Sequence, residues 1–205
     1  MNILGFLISF GLLILAMSVH EFSHGFIAYK LGDNTAKYSG RLTLNPLAHI
    51  DPIGTVILPL TLFIFTNGHF VFGAAKPVPI NYLALRNPKR DIIWIGLSGP
   101  LSNLVFAAAL SLLQRIIPLP DIISYLFRNL IFINIMLGLF NLIPIPPLDG
   151  SRILMGLLPD NLASKYASLE PFGFLIIVLL ITLGIFDLVI GPLVNLVSLW
   201  LGVSF

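Results

Sequence analysis

The sequence predicts an all-α polytopic membrane protein with about four to six transmembrane or re-entrant helices and a small β-hairpin element. Three observations predict this class. Hydrophobic residues make up 57% of the 205 residues and charged residues only 10%, against about 45–50% and about 25% in soluble domains. The mean hydropathy is +0.99. Apolar runs long enough to cross a bilayer recur along the chain. An ordinary soluble domain is therefore excluded.

The first apolar run has no ionisable side chain from residue 2 to residue 19 and continues to Ala28. It approaches the ~20 residues that cross ~30 Å of hydrocarbon. The run has neither a basic leading region nor a small-residue cleavage site, so a removable signal peptide is the weaker interpretation. The first basic residue, Lys30, comes after the run. This asymmetry predicts an N-terminus outside the cell and Lys30 in the cytoplasm.

Two non-helical stretches flank a short apolar segment. Residues 41–44 alternate polar and apolar side chains, and the proline-rich residues 76–82 are typical of an extended edge, so a short hairpin is expected here. The apolar segment 53–65 is too short for a standard span and leads to Asn67-Gly68, a turn signal. It is expected to be a re-entrant segment or a short span.

Three further apolar runs complete the predicted helices, at residues 92–113, 122–143 and 172–190. No appended soluble domain is visible, so residues 1–205 are predicted to form a single membrane-embedded domain. The formal net charge of +2 gives no case for a nucleic-acid partner. The absence of cysteine leaves the four histidines and nine carboxylates as the ligands for any transition metal.

A metal-binding pattern lies near the end of the first run, where His20-Glu-Phe-Ser-His24 reads H-E-x-x-H. On a helix, residues four apart share a face, so both imidazoles can reach one metal ion. Glu21 is placed beside them to accept a proton from water at the metal. Ionisable groups in a membrane segment are costly and rare unless they are paired and functional. The alternative is an interfacial helix end with exposed polar groups.

A catalytic zinc site needs a third protein ligand, and the candidates are His49, Asp51, His69 and Asp149. Asp149 follows a long apolar helix that Pro144, Pro146 and Pro147 force into extended backbone. Non-helical chain at membrane depth is tolerated only where it is buried in protein or lines a watery cavity. Asp149 is therefore the favoured ligand, and helix capping near Ser151 is its alternative role. A dication with Glu21 and Asp149 ionised and both imidazoles neutral sums to zero charge, the least costly state in hydrocarbon.

Three motifs in this order resemble the site-2 protease family of intramembrane zinc metalloproteases, in a compact form without PDZ or CBS domain. They are His20 to His24, Ser98-Gly-Pro-Leu-Ser-Asn103, and Asn141 to Gly150. The resemblance implies one zinc ion with His20, His24 and Asp149 as ligands and Glu21 as catalytic base. It further implies that Asn141 lies near the reacting carbonyl and that the substrate is the transmembrane helix of another protein.

Several polar residues keep two interpretations. Asn141 is either an oxyanion donor or an amide that satisfies backbone freed by Pro144. Asn103 is interpreted as a helix-packing residue that hydrogen-bonds across an interface, with direct participation as the alternative. His49 and Asp51 are interpreted as loop and turn residues, with contacts to the ligating histidines as the alternative.

Topology gives a further expectation. If His24 and Asp149 meet at one ion, an even number of crossings separates them, so segment 53–65 should not fully cross. Nine of the eleven basic residues then lie inside, with Arg115 and Arg128 outside. The active site faces the cytoplasm, and the cytoplasmic membrane is the expected location. An unwound substrate is expected to pair with the edges at 41–44 or 76–82.

Two other classes remain open from the residues alone. A divalent-metal transporter also carries intramembrane His and Asp, but it should show repeated halves. A non-catalytic membrane scaffold that kept the fold is the third class.

Overall fold

The computed structural model describes residues 3–67 and 73–205, and the regular elements of this part are helical. The α-helices are α1 (Ile3–Lys30), α2 (Thr35–Tyr38), α3 (Leu58–Phe65), α4 (Pro88–Ile116), α5 (Asp121–Asn141), α6 (Asp149–Leu157), α7 (Asp160–Ala167), α8 (Gly173–Thr182) and α9 (Ile185–Leu201). Short 3-10 turns cover Pro46–His49, Tyr82–Ala84 and Glu170–Phe172, and a π-helical turn covers Pro52–Ile57.

Helices α1, α4 and α5 form the centre of the molecule, and α6 and α9 pack against them. Small and branched side chains fill the interface, with Ala16 of α1, Ala107 of α4 and Ile131 of α5 fully buried. Gly138 brings α5 against α4, because a Cβ there would lie 3.0 Å from the carbonyl oxygen of Pro100. Close approach through small residues is typical of helix packing in membranes.

Four helical stretches are long and apolar enough to cross a membrane, namely Ile3–Lys30, Pro88–Ile116, Asp121–Asn141 and Asp160–Thr182. Many large apolar side chains on the outside of the bundle are exposed, among them Leu4, Val105 and Leu175. A surface of this kind is stable against lipid rather than water. The prediction of an all-α polytopic membrane protein is confirmed at this level.

The short apolar segment Pro52–Phe65 leaves and returns at the same place. Its 14 residues span at most about 21 Å, less than the ~30 Å of a bilayer core. Ala74 N–H donates to the Gly54 carbonyl at 3.0 Å, so the chain after the segment lies beside its start. Asn67 has φ 51°, as a turn requires. This geometry is that of a re-entrant segment; Gly68 and His69 lie outside the described residues.

The predicted β-hairpin is wrong for the part of the chain that the structure describes. Residues 41–44 form bends and residues 73–81 run extended, without a ladder between them. The link is a side chain instead, since Arg41 Nη2 donates to the Lys76 carbonyl at 2.6 Å. Pro77 and Pro79 have no N–H to donate to a ladder. Lys76 N–H donates to His49 O at 3.0 Å, so few donors remain at this edge for a substrate.

The last predicted span, 172–190, is also corrected. The structure divides it into α8 and α9 at Gly184, which has φ +71°. A glycine in the left-handed region ends a helix without the steric cost that a Cβ would bring. The hydropathy pattern is uniform across this break and therefore does not reveal it.

Candidate metal centre

His20 and His24 project from the same face of α1 into the bundle. The apolar run that precedes them favours a continuous helix, and i, i+4 spacing aligns the two rings. Both residues are 7% exposed. Their Nε2 atoms lie 3.0 Å apart, so both rings aim one nitrogen at a common point.

Asp149 reaches this point from the first turn of α6. Its Oδ2 lies 2.9 Å from His20 Nε2 and 3.2 Å from His24 Nε2. Close backbone contacts fix the turn that carries it. A Cβ on Gly150 would lie 2.2 Å from the Leu142 carbonyl oxygen, and one on Gly96 would lie 3.0 Å from the Asp149 carbonyl oxygen. The proline-rich stretch before α6 therefore folds back tightly on the end of α5.

The donor atoms fit a zinc ion. Ligands about 2.0–2.1 Å from a tetrahedral ion are about 3.3 Å apart, close to the three separations above. Asp149 Oδ2 is buried and has no hydrogen-bond donor, which is costly for a carboxylate unless a cation is present. Within residues 3–67 and 73–205, these three side chains are the group of His and acidic residues close enough to hold a metal.

The other candidate third ligands do not join this group. His49 Nε2 contacts the Thr43 carbonyl oxygen at 2.8 Å, and Asp51 Oδ2 accepts from Gly54 N–H at 2.5 Å. These contacts are local to the loop, in agreement with the structural interpretation of both residues. His69 lies outside the described part of the chain.

Polar side chains of the neighbouring helices orient His20. Its Nδ1 lies 2.6 Å from Asn103 Oδ1 on α4. The amide nitrogen of Asn103 donates to Asn134 Oδ1 on α5 at 2.8 Å and to the Ala16 carbonyl at 3.1 Å. Because Asn103 uses its N–H groups there, its oxygen can only accept, and His20 carries its proton on Nδ1 with the lone pair on Nε2.

A backbone carbonyl orients His24 in the same way. Its Nδ1 lies 2.7 Å from the Ile95 carbonyl oxygen and 3.2 Å from Ser98 Oγ. Gly99 makes this approach possible, since a Cβ there would lie 2.4 Å from His24 Nε2 and 2.6 Å from His20 Nε2. The Ser-Gly-Pro motif of α4 thus opens the space in which an ion fits.

Glu21 points away from the two histidines' donor atoms toward residues 73–81, which we call the strap. Its Oε2 accepts a hydrogen bond from Val78 N–H at 2.8 Å. The strap is itself anchored, because Asn81 N–H donates to Asp33 Oδ2 at 2.7 Å and Asp33 is 1% exposed. A side chain on α1 is therefore oriented by chain some 57 residues later.

Comparison with known proteins identifies the family. Residues 115–183 match the model described as peptidase family M50. "Putative zinc metalloprotease YwhC" of Bacillus subtilis is 35% identical over 192 residues, which cover 89% of this chain and 84% of that protein. The chain belongs to peptidase family M50. The resemblance to the site-2 protease family of zinc metalloproteases is thereby confirmed.

Longer M50 relatives match as well. "Putative zinc metalloprotease Rip2" of Mycolicibacterium smegmatis is 32% identical over 82% of this chain and 64% of its own length. The Mycobacterium tuberculosis protein of the same name is 31% identical over 77% of this chain and 54% of its own length. This M50 chain therefore spans less than two thirds of those two proteins. No solved structure gives a significant match.

Asn141, the remaining predicted site residue of this M50 protein, is not in the metal cluster. Its Nδ2 donates to the Leu137 carbonyl oxygen at 3.0 Å, within α5. The contact matches the interpretation of an amide that satisfies helix backbone. Its proposed contact with a reacting carbonyl needs a different rotamer.

Two further groups approach the site from the side of α6. Arg152 Nη2 forms an ion pair with Glu170 Oε1 at 2.6 Å. Partial burial raises the pKa of the Tyr82 phenol, an effect that the nearby Arg152 guanidinium opposes. Tyr82 is therefore neutral at physiological pH.

Sequence reasoning missed Asn134 and the strap's contact with Glu21. An asparagine inside an apolar span was a usable signal for the first, since buried amides in membranes need partners. No local pattern indicates the second.

Proposed function

We propose that this chain is an intramembrane zinc endopeptidase that hydrolyses a peptide bond in or near the transmembrane helix of a substrate protein. One zinc ion would be held by His20, His24 and Asp149, with Glu21 as the general base. The observation that carries the proposal is the meeting of two imidazole nitrogens with a buried carboxylate oxygen that has no hydrogen-bond donor.

The chemistry divides between the ion and the chain. Bound zinc supplies a Lewis acid that lowers the pKa of its water and polarises the scissile carbonyl. Asn103 and the Ile95 carbonyl oxygen hold the two imidazoles with Nε2 free to coordinate. Two neutral imidazoles and two carboxylates balance the charge of a dication, which limits the cost of burial.

Glu21 would move the proton. Val78 N–H occupies its Oε2, so Oε1 is the atom that receives a proton from the attacking water. The same carboxyl then delivers the proton to the leaving nitrogen. We assign Asn141 to the developing oxyanion, on release of its amide from Leu137.

The membrane setting explains the substrate class. Residues 1–205 would act as a single membrane-embedded domain in the cytoplasmic membrane, with the N-terminus outside and the site toward the cytoplasm. A peptide bond inside a helix is hydrogen-bonded and covered by side chains. The substrate helix must therefore unwind before water attacks, which Gly, Pro or Asn residues would promote.

Cleavage and metal content, measured together, test the proposal. Glu21→Gln should lower hydrolysis of a model transmembrane peptide by about 10²–10⁴-fold and keep the bound metal. Glu170→Gln is the matched control, since Glu170 is the only other glutamate in the sequence and its ion pair with Arg152 lies at the surface.

The outcomes separate the functional classes. Unchanged hydrolysis by Glu21→Gln would remove Glu21 as the base. Wild-type protein that binds zinc and moves it across vesicles without cleaving peptides would favour a transporter. Wild-type protein with neither metal nor cleavage would favour a scaffold.

A further inference from the structure

The two arginines that the charge count sets apart from the other basic residues meet in the structure. Arg115 of α4 and Arg128 of α5 line a cavity of about 220 Å³ together with Ser111, Gln114 and residues 202–204. Arg115 lies twelve residues beyond Asn103 on α4, which is about 18 Å along the helix axis. The cavity is therefore at the end of the bundle remote from the metal centre. We call it the distal cavity.

The distal cavity has uncompensated positive charge. Two guanidinium groups line it and no carboxylate does. Arg115 Nη2 donates to the Leu201 carbonyl, at the end of α9. Arg128 has no hydrogen-bond or ion-pair partner among the described residues, although it lies two turns inside α5. An arginine within a membrane-spanning helix is costly unless an anion pairs with it.

A second group in the cavity requires a donor. Gln114 Oε1 is buried and has no hydrogen-bond partner. The nearby hydroxyl of Ser111 is used, because it donates to the Leu201 carbonyl at 2.6 Å. A ligand that satisfies the whole cavity therefore combines an anionic group for the arginines with a hydroxyl for Gln114.

We propose that the distal cavity binds a glycerophosphate group, as carried by the headgroup of phosphatidylglycerol. Arg115 and Arg128 would contact the phosphate oxygens, for which planar guanidinium groups are well suited. A glycerol hydroxyl would donate to Gln114 Oε1.

Size and position support a lipid headgroup. The volume is below the roughly 300–1,000 Å³ of sites for drug-sized ligands. The cavity lies close to Ile116 and Asp121, where α4 ends and α5 begins, and lipid phosphates lie at such helix ends. The bound group would connect α5 to α4 and α9, so its binding should stabilise the fold.

Lipid-dependent thermal unfolding tests the proposal. Purified full-length chain in neutral detergent would be titrated with phosphatidylglycerol, with phosphatidylcholine and with soluble glycerol 3-phosphate. Phosphatidylglycerol should raise Tm by several degrees and remain bound in native mass spectrometry. Arg128→Gln should weaken this binding about tenfold or more without changing Tm in the absence of lipid. Arg90→Gln is the control, since Arg90 is an exposed residue on α4 with no side-chain partner in the structure.

A third variant tests the hydroxyl. Gln114→Leu removes the orphan acceptor and should abolish any preference for phosphatidylglycerol over phosphatidic acid. An unchanged preference would overturn the assignment of Gln114.

The source of the ligand follows from the soluble probe. Saturation by glycerol 3-phosphate with the same Arg128 dependence would support the site and identify a free metabolite as the source. Equal effects of phosphatidylcholine and phosphatidylglycerol, or equal losses in Arg90→Gln and Arg128→Gln, would overturn the proposal.

Discussion

His20 and Glu21 are neighbours in the sequence, yet different regions of the molecule orient them. The bundle interior holds His20 through Asn103 of α4 and Asn134 of α5. The strap holds Glu21 from outside the bundle, through one backbone N–H of Val78. One α1 turn therefore presents a metal ligand with packed side-chain support and a base with a single contact.

This difference teaches that metal affinity and turnover are separable in this chain. Changes in the bundle interior should lower metal affinity and thereby abolish activity. Changes in the strap should lower turnover and leave the metal in place. The predictions below begin with the largest expected effect.

Gly99→Ala should break the metal side most severely. The new Cβ would lie within 2.6 Å of both Nε2 atoms, where the ion must be. We expect loss of most bound metal and of hydrolysis, with a destabilisation of about 1–3 kcal/mol from overpacking. Metal analysis and thermal unfolding would measure both effects.

The control for this change is Gly11→Ala, another glycine in a membrane helix, with no atom within 4 Å of the added Cβ. It should keep its metal and gain slightly in helix propensity. A Gly99→Ala protein with full metal content would contradict the geometry described for the site.

Asn103→Ala tests the side-chain support of His20. The imidazole Nδ1–H would lose its acceptor, and ligand-orienting partners of this kind are worth about 10–100-fold in metal affinity. Competition with a chelator would measure zinc affinity. Asn129→Ala is the matched control, since that amide bonds only the Tyr125 carbonyl of its own helix. Equal affinities of the two variants would show that Asn103 does not support the ligand.

Val78→Pro sharpens the comparison from the strap side. Proline removes the N–H that Glu21 accepts, and a hydrogen bond to a charged group is worth about tenfold or more in rate. We expect kcat to fall about tenfold with metal content unchanged. Ala75→Pro, at a strap position whose N–H has no partner in the structure, should have a smaller effect. Loss of metal in Val78→Pro would show that the two regions are coupled.

The sequence was most informative where a local pattern carries the chemistry. The i, i+4 spacing of His20 and His24 aligns them on any helix, and the prolines before Asp149 indicate non-helical chain at membrane depth. Both features depend on short-range backbone geometry, which a sequence specifies directly. The convergence of Asp149 with the imidazoles was also favoured by charge balance.

The parts that the sequence did not predict depend on how elements face one another. Asn103 contacts His20 only because α4 packs against α1 in one register. Gly184 ends α8 within a uniformly apolar run, and the hairpin failed because Arg41, Glu21 and His49 use the groups that a ladder would need. Such contacts depend on tertiary packing, which hydropathy and propensity do not contain.

The most direct test of the central claim is the coordination of the metal in protein purified without chelators. Metal analysis with zinc X-ray absorption should find one zinc ion per chain, bound by two imidazole nitrogens and a carboxylate oxygen. Asp149→Asn should lose the ion or the oxygen ligand. Metal-free wild-type protein, or zinc without two imidazole ligands, would contradict the account.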